Sequence, residues 1–201
     1  MQDGNVILGR YTAHCIHSLD NKQEDTIKTE TNVTNYISIK FVKESDINIE
    51  CEVMEALDDY LAPDNHIVRP LQEIVFDSGT LFVVQARTFM DYVEDTSLHT
   101  ASLVDTIISL SHQLIEGILF MHTKKWVHMN INPLALMVDS SGDLIIHNFK
   151  FSGEIGSPNT TWEEWEHYSR VPEPKEKYEA HYRAPEVTWK RFKPMLADTW
   201  S

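Results

Sequence analysis

His128-Met129-Asn130-Ile131-Asn132-Pro133-Leu134-Ala135 opens a stretch that runs through Leu136-Met137-Val138, Asp139-Ser140-Ser141-Gly142-Asp143 and Leu144-Ile145-Ile146 to Asn148-Phe149-Lys150. Its middle is two short apolar runs joined by a polar link with Gly142-Asp143 at its end, a pattern that predicts a β-hairpin. Just upstream, Ser102 to His122 predicts a strong amphipathic helix, with Leu103, Ile107, Leu110, Leu114, Ile118 and Met121 on one face. Downstream, residues 152–181 are polar, acidic and weakly periodic, as functional loops and disordered segments are.

Further out, residues 1–87 read as mostly β. Val6 to Leu8 and the run Tyr36 to Val42 are rich in β-branched and aromatic residues, and the polar stretch Asn21 to Thr34 reads as a long hairpin loop. One helix interrupts the strands, roughly Asp46 to Leu61, with Ile47, Met54, Leu57 and Leu61 as its apolar stripe and Pro63-Asp64-Asn65 as its stop. Strands around Ile67–Val75 and Leu81–Ala86 follow, joined by Asp77-Ser78-Gly79. The expected architecture is α+β: a β-rich part over 1–87, a short link near Ala86 to Phe89, and a helical part over 88–201.

Composition narrows the function classes. The chain has 201 residues, 42% hydrophobic and 24% charged, enough to bury a sizeable core. Against 31 Asp and Glu stand 17 Lys and Arg, a net charge of −14, so nucleic acid and anionic membrane find no cationic footprint. No apolar stretch is expected to reach the ~20 residues of a membrane span. Met1 to Tyr11 lacks the basic start of a signal peptide, and Cys15 and Cys51 cannot build a disulfide framework. The expected compartment is therefore reducing and cytoplasmic, with the sequons at Asn32 and Asn159 read as chance.

Several segments, taken in order, resemble the protein kinase superfamily. Ile37-Ser38-Ile39-Lys40 is similar to its V-A-I-K strand, and Glu50 with Val53, Met54 and Leu57 to its helix glutamate and apolar followers. His128 to Ala135 lies on the catalytic loop H-R-D-L-K-P-x-N, and Asn148-Phe149-Lys150 on D-F-G. Ala184-Pro185-Glu186 is A-P-E intact, and Asp198-Thr199-Trp200-Ser201 resembles the start of the helix that follows. The resemblance implies a bilobal fold with an N-lobe over 1–87 and a partial C-lobe over 88–201, cut after the start of the central helix of the larger lobe. The runs 182–187 and 197–201 also look similar to the giant muscle kinases of the titin and obscurin type, a resemblance that implies a sarcomeric setting.

Position by position, the same resemblance implies impaired chemistry. Phosphoryl transfer is mostly positioning plus neutralisation of charge. The catalytic aspartate is Asn130, whose amide is no base, and the lysine beside it is Asn132. The two metal-ligand positions are Ala135, without a donor atom, and Asn148, a neutral oxygen ligand. Of the glycine-rich loop only Gly9 survives, while Tyr11 and His14 stand where close backbone approach to phosphate is needed. What is kept is Lys40 and Glu50 for the ion pair, Ile16 and Met137 at the positions flanking adenine, a small Val84, and the Gln85-Ala86-Arg87 backbone that adenine would bond. Met54, Leu71, His128 and Phe149 fall on the family's internal apolar column.

Two functions follow. One is a pseudokinase that serves as a scaffold or allosteric binding module for protein partners, with ATP bound weakly at best and no help from Mg2+. The other is a low-activity ATP-dependent Ser/Thr protein kinase. Lys40 also reads as a plain solvated strand lysine, and His128 as a satisfied core histidine. Thr161-Trp162-Glu163-Glu164-Trp165-Glu166 reads equally as a docking surface or as tryptophans tucked against the helical part.

Overall fold

The structure, a computed structural model, describes residues 6–10, 36–58, 65–94, 100–165, 181–189 and 192–200. The expected 21–34 hairpin loop and residues 166–180 of the acidic stretch lie outside them.

The N-terminal half is a four-stranded antiparallel sheet of order β1-β2-β4-β3, built from β1 (Val6–Arg10), β2 (Tyr36–Lys43), β3 (Gln72–Phe76) and β4 (Gly79–Val84). Lys40 pairs with Phe82 across β2 and β4. At the start of β4, Gly79 (φ 150) lies so close to β2 that a Cβ there would collide with the Val42 carbonyl oxygen. One expected strand over Ile67–Val75 is therefore shorter: Ile67 instead makes a parallel bridge to Ile146, and the strand proper starts at Gln72.

Helix α1 (Glu44–Leu57) ends four residues before the expected Leu61. The buried stripe is Ile49, Val53 and Leu57, spaced i, i+4, i+8, with Met54 half-buried at its side. The side chain of Ile47, expected in that stripe, lies outside the described residues, as does Leu61. Asn65 does act as a stop, but from a distance: its amide donates to the Leu57 carbonyl at 3.1 Å and its oxygen accepts from the Ile67 N–H at 3.1 Å.

The link near Ala86 is itself a strand, β5 (Ala86–Thr88), which forms a second sheet β5-β7-β8 with β7 (Leu136–Asp139) and β8 (Leu144–Ile146). The predicted hairpin is present, and the Asp139 carboxylate closes it by accepting the N–H groups of Ser141 and Asp143 at 2.8 and 2.9 Å. Helix α2 (Phe89–Glu94) and helix α3 (Thr100–Thr123) cover this sheet, and β6 (Trp126–Val127) pairs with β9 (Gly153–Glu154). Two short helices, α4 (Pro185–Thr188) and α5 (Pro194–Trp200), complete the described chain.

Helix α3 corrects two expectations. Leu103–Thr123 is long and apolar enough to cross a membrane, so a stretch of that length does exist. Its inner side nevertheless packs on β6 and β8 through Leu110 and Met121, and Gln113 bonds the Leu144 N–H at 2.6 Å. Ile107, expected on the inner face, is 54% exposed. One apolar core joins α1, β4, β5, α3, β7 and β8, including Val53, Val84, Leu110, Val138, Ile146 and Phe149.

Candidate functional site

The site gathers where β2, α1, the 128–135 loop and the end of β8 meet. Lys40 on β2 and Glu50 on α1 form an ion pair, Nζ to Oε1 at 2.7 Å. Glu50 is only 4% exposed at its side chain, so the pair lies in a poorly solvated place and ties the helix to the sheet. This excludes the reading of Lys40 as a solvated strand lysine.

The 128–135 loop is fixed from beneath. Asp198 on α5 is buried, and its two oxygens accept the backbone N–H groups of His128 at 2.7 Å and Met129 at 2.6 Å. His122 Nε2 lies 3.2 Å from the same carboxylate. Met129 sits at φ 64, a left-handed conformation that a non-glycine residue keeps only when its surroundings enforce it, and the carboxylate supplies that enforcement. His128 is fully buried; its Nδ1 accepts the Asn130 N–H at 3.2 Å, which leaves Nε2 to donate to the His147 carbonyl at 3.0 Å. Burial, chiefly, holds its pKa below the ordinary histidine value. Its ring meets Phe149 edge-on at 5.5 Å. His128 is thus a satisfied core histidine.

The side chains expected to face substrate are spent locally or lack chemistry. Asn132 caps the 3-10 turn Pro133–Ala135, accepting the Leu134 N–H at 2.9 Å while its amide donates to the Asn130 carbonyl at 2.9 Å. Ala135 is completely buried. Asn148 stands at φ 71, in a left-handed conformation that asparagine tolerates better than most residues. Asn130 is half-buried at the loop's rim. Among the described residues no cluster of three His, Cys, Asp or Glu side chains is placed to hold a metal ion, and Cys51 is a free thiol.

At the β4–β5 junction, Ser38 Oγ donates to the Ala86 carbonyl at 2.7 Å. Successive strand residues turn their N–H and C=O groups to opposite edges, so the Arg87 groups face β7, where Arg87 pairs with Val138. Within the Gln85–Arg87 backbone expected to bond adenine, the Ala86 carbonyl is thus taken by Ser38 and Arg87 pairs with β7. The Arg87 guanidinium lies between the rings of Tyr36 and Tyr92, at 4.7 and 4.5 Å from their centroids. A small cavity of about 20 Å³, room for one water, lies beside Lys40, Val84, Met137, His147 and Asn148. Gly9 takes its place in β1 opposite Ile37. Ile16, Tyr11 and His14 lie outside the described residues.

Three residues escaped the sequence reading. Ser38 gave no signal beyond its place in the strand. Asp198 was visible only as part of a motif, without its role. His147, next to Asn148, is buried with neither ring nitrogen hydrogen-bonded, and burial first, then the Lys40 charge, drives its pKa well below the ordinary value. The tryptophans are tucked in: Trp165 is buried and donates to the Glu154 carbonyl at 3.1 Å, and Trp162 packs against the same cluster.

No protein-family model matches the chain. It is similar to a probable cell division protein kinase of Encephalitozoon cuniculi, 33% identical over 97 residues, which is 48% of this chain and 31% of that protein. It is also similar to a probable cyclin-dependent serine/threonine-protein kinase of Dictyostelium discoideum, 36% identical over 62 residues, 31% of this chain and 4% of that protein. The matched stretches span less than a third of either relative's length. These partial likenesses support a relationship to the protein kinase superfamily.

Proposed function

We propose that the protein is a bilobal kinase-like domain that binds protein partners in the cytoplasm and does not transfer phosphate. One observation carries the reading: the 128–135 loop is held at its underside by Asp198 at 2.6 and 2.7 Å, while its reactive positions hold Asn130 and Ala135, with Asn148 beside them. Losing an acid/base group typically forfeits ~10²–10⁴ in rate. The donor set also fits Mg2+ poorly, because a methyl group and one neutral amide stand where carboxylate and amide oxygens are wanted. With Ser38 and β7 engaging the 86–87 backbone, adenine has fewer groups to bond.

The Lys40–Glu50 pair at 2.7 Å favours the alternative, a low-activity kinase, since that pair steadies the nucleotide phosphates in active members of the family. Thermal unfolding of the protein with ATP, with and without Mg2+, separates the two. The expected result is a small shift that magnesium leaves unchanged. A large magnesium-dependent shift means that other oxygens have replaced the missing ligands and favours the kinase reading.

A further inference from the structure

Two histidines face one carboxylate oxygen where the loop before β3 meets helix α3. His66 Nε2 lies 3.5 Å and His112 Nδ1 lies 3.3 Å from Oε2 of Glu116. None of the three lines the cavity beside Lys40. His112 and Glu116 are four residues apart on α3 and so share a face of it, whereas His66 arrives from a distant part of the chain.

The backbone is shaped to bring His66 there. His66 sits at φ 59, in the left-handed region, and its carbonyl accepts the Ile146 N–H at 2.7 Å. Beside Glu116 the helix carries Gly117, a residue that costs a helix interior about 1 kcal/mol relative to alanine. A Cβ at Gly117 would lie 3.1 Å from the His66 Cβ and 2.6 Å from the Ile146 side chain, so the glycine lets the loop lie against the helix next to the carboxylate.

The other ring nitrogen fixes the tautomer. His66 Nδ1 is 3.1 Å from the Leu144 carbonyl oxygen, which can only accept, so Nδ1 carries the proton. Leu144 is anchored in turn, its N–H bonded to Gln113 Oε1 at 2.6 Å. In the neutral ring Nε2 then presents a lone pair to an oxygen that also has only lone pairs, and two such acceptors are held together by a cation. Metal-ligating histidines are oriented in this way, through the other ring N–H donated to a backbone carbonyl. Ligands ~2.0–2.2 Å from a tetrahedral ion stand roughly 3.3–3.6 Å apart, the spacing of both nitrogens from Glu116 Oε2. The three side chains do not close on a common centre as they stand. His112 and Glu116 can close them, because their side chains are 72% and 53% exposed and turn at little cost.

The donors select the ion. Two imidazoles and one carboxylate suit Zn2+, with water in the fourth position, whereas Mg2+ and Ca2+ find a single carboxylate here. No Lys or Arg occurs from Thr88 through Thr123, and Asp143, which accepts from Gln113 at 3.3 Å, adds negative charge nearby. We propose that His66, His112 and Glu116 bind a Zn2+-class divalent ion that ties the loop before β3 to α3. The proposal does not depend on whether the protein transfers phosphate, and its test reads metal binding alone.

Zn2+ is titrated into the full chain by calorimetry. One saturable site is expected, with no comparable binding of Mg2+ or Ca2+, and a thermal midpoint that rises with Zn2+. His112→Ala and Glu116→Gln, both at exposed positions, are each expected to weaken binding at least tenfold and to abolish the thermal shift. His66→Gln is expected to do the same, and the two α3 variants carry the test by themselves should it unfold. Cys15→Ser with Cys51→Ser is expected to leave the affinity unchanged. Absence of binding, several weak sites only, or binding that His112→Ala and Glu116→Gln leave intact would overturn the proposal. So would binding that the cysteine replacements remove.

Discussion

The two sides of the 128–135 loop differ in what they are made of. Beneath it, buried groups are fully used: Asp198 accepts two backbone N–H groups, His128 bonds through both ring nitrogens, and Asn132 caps the turn. At its rim, where the family motif places a base, a metal ligand and a metal-bridging carboxylate, stand Asn130, Ala135 and Asn148. The contrast teaches that the shape of such a loop depends on different atoms from its chemistry. A carboxylate 70 residues away in sequence determines the shape, so the fold tolerates neutral side chains at the rim.

If that division is right, perturbing the underside should cost far more than perturbing the rim. The largest effect is expected for Asp198→Ala, which strands two buried N–H groups at about 1–3 kcal/mol each and removes the support for the left-handed Met129. Urea unfolding should show a loss of about 4 kcal/mol or no folded protein, whereas Asn130→Ala should change stability by less than about 0.5 kcal/mol. Comparable losses for the two would break the comparison.

Next comes Lys40→Met, which leaves the nearly buried Glu50 carboxylate without its cation and should cost about 3 kcal/mol. Adding Glu50→Leu should restore most of that loss, because the penalty lies in the stranded charge rather than in the missing pair. If the double variant stays as unstable as the single one, Lys40 contributes through something other than Glu50.

A smaller effect is carried by the buried histidines. His128 and His147 both have folded-state pKa values lowered chiefly by burial, so the folded protein keeps them neutral while the unfolded chain takes up protons below pH ~6.5. The unfolded state then binds more protons, and stability falls as pH drops through that value, by up to ~1.4 kcal/mol per pH unit for each histidine. Above it neither contributes. A stability curve flat from pH 7.5 to 5.5 would contradict the burial of either ring.

The smallest expected change is a gain. His147→Leu removes two buried ring nitrogens that bond nothing, so it should stabilise the fold by about 1 kcal/mol and remove roughly half of the acid slope. A loss of stability would show that His147 has a partner, a bridging water being the simplest candidate for the 20 Å³ cavity beside it.

Much of this was legible locally. The 139–143 link gave its hairpin because aspartate and glycine carry their turn chemistry with them. The spacing of apolar residues gave α3, and the motif order put Lys40 and Glu50 in register. What was not legible depends on partners remote in sequence. Ser38 and Ala86 meet only once β2 and β5 lie side by side, and Asp198 acquires its role only when α5 passes beneath the loop. In α1 the expected stripe named Leu57 and Met54 but not Ile49 and Val53, because burial on that face depends on the sheet the helix packs against. Ile107 was assigned inward by periodicity, although the helix has apolar residues on more than one face and its neighbours cover only one of them.

The central claim, a supported loop without its chemistry, is tested most directly by transfer of radiolabelled phosphate from ATP to the protein itself and to generic protein substrates, with Lys40→Met alongside. The expected result is no incorporation by the parent above that of Lys40→Met. Incorporation that depends on Lys40 would contradict it and return the rim of the 128–135 loop to catalysis.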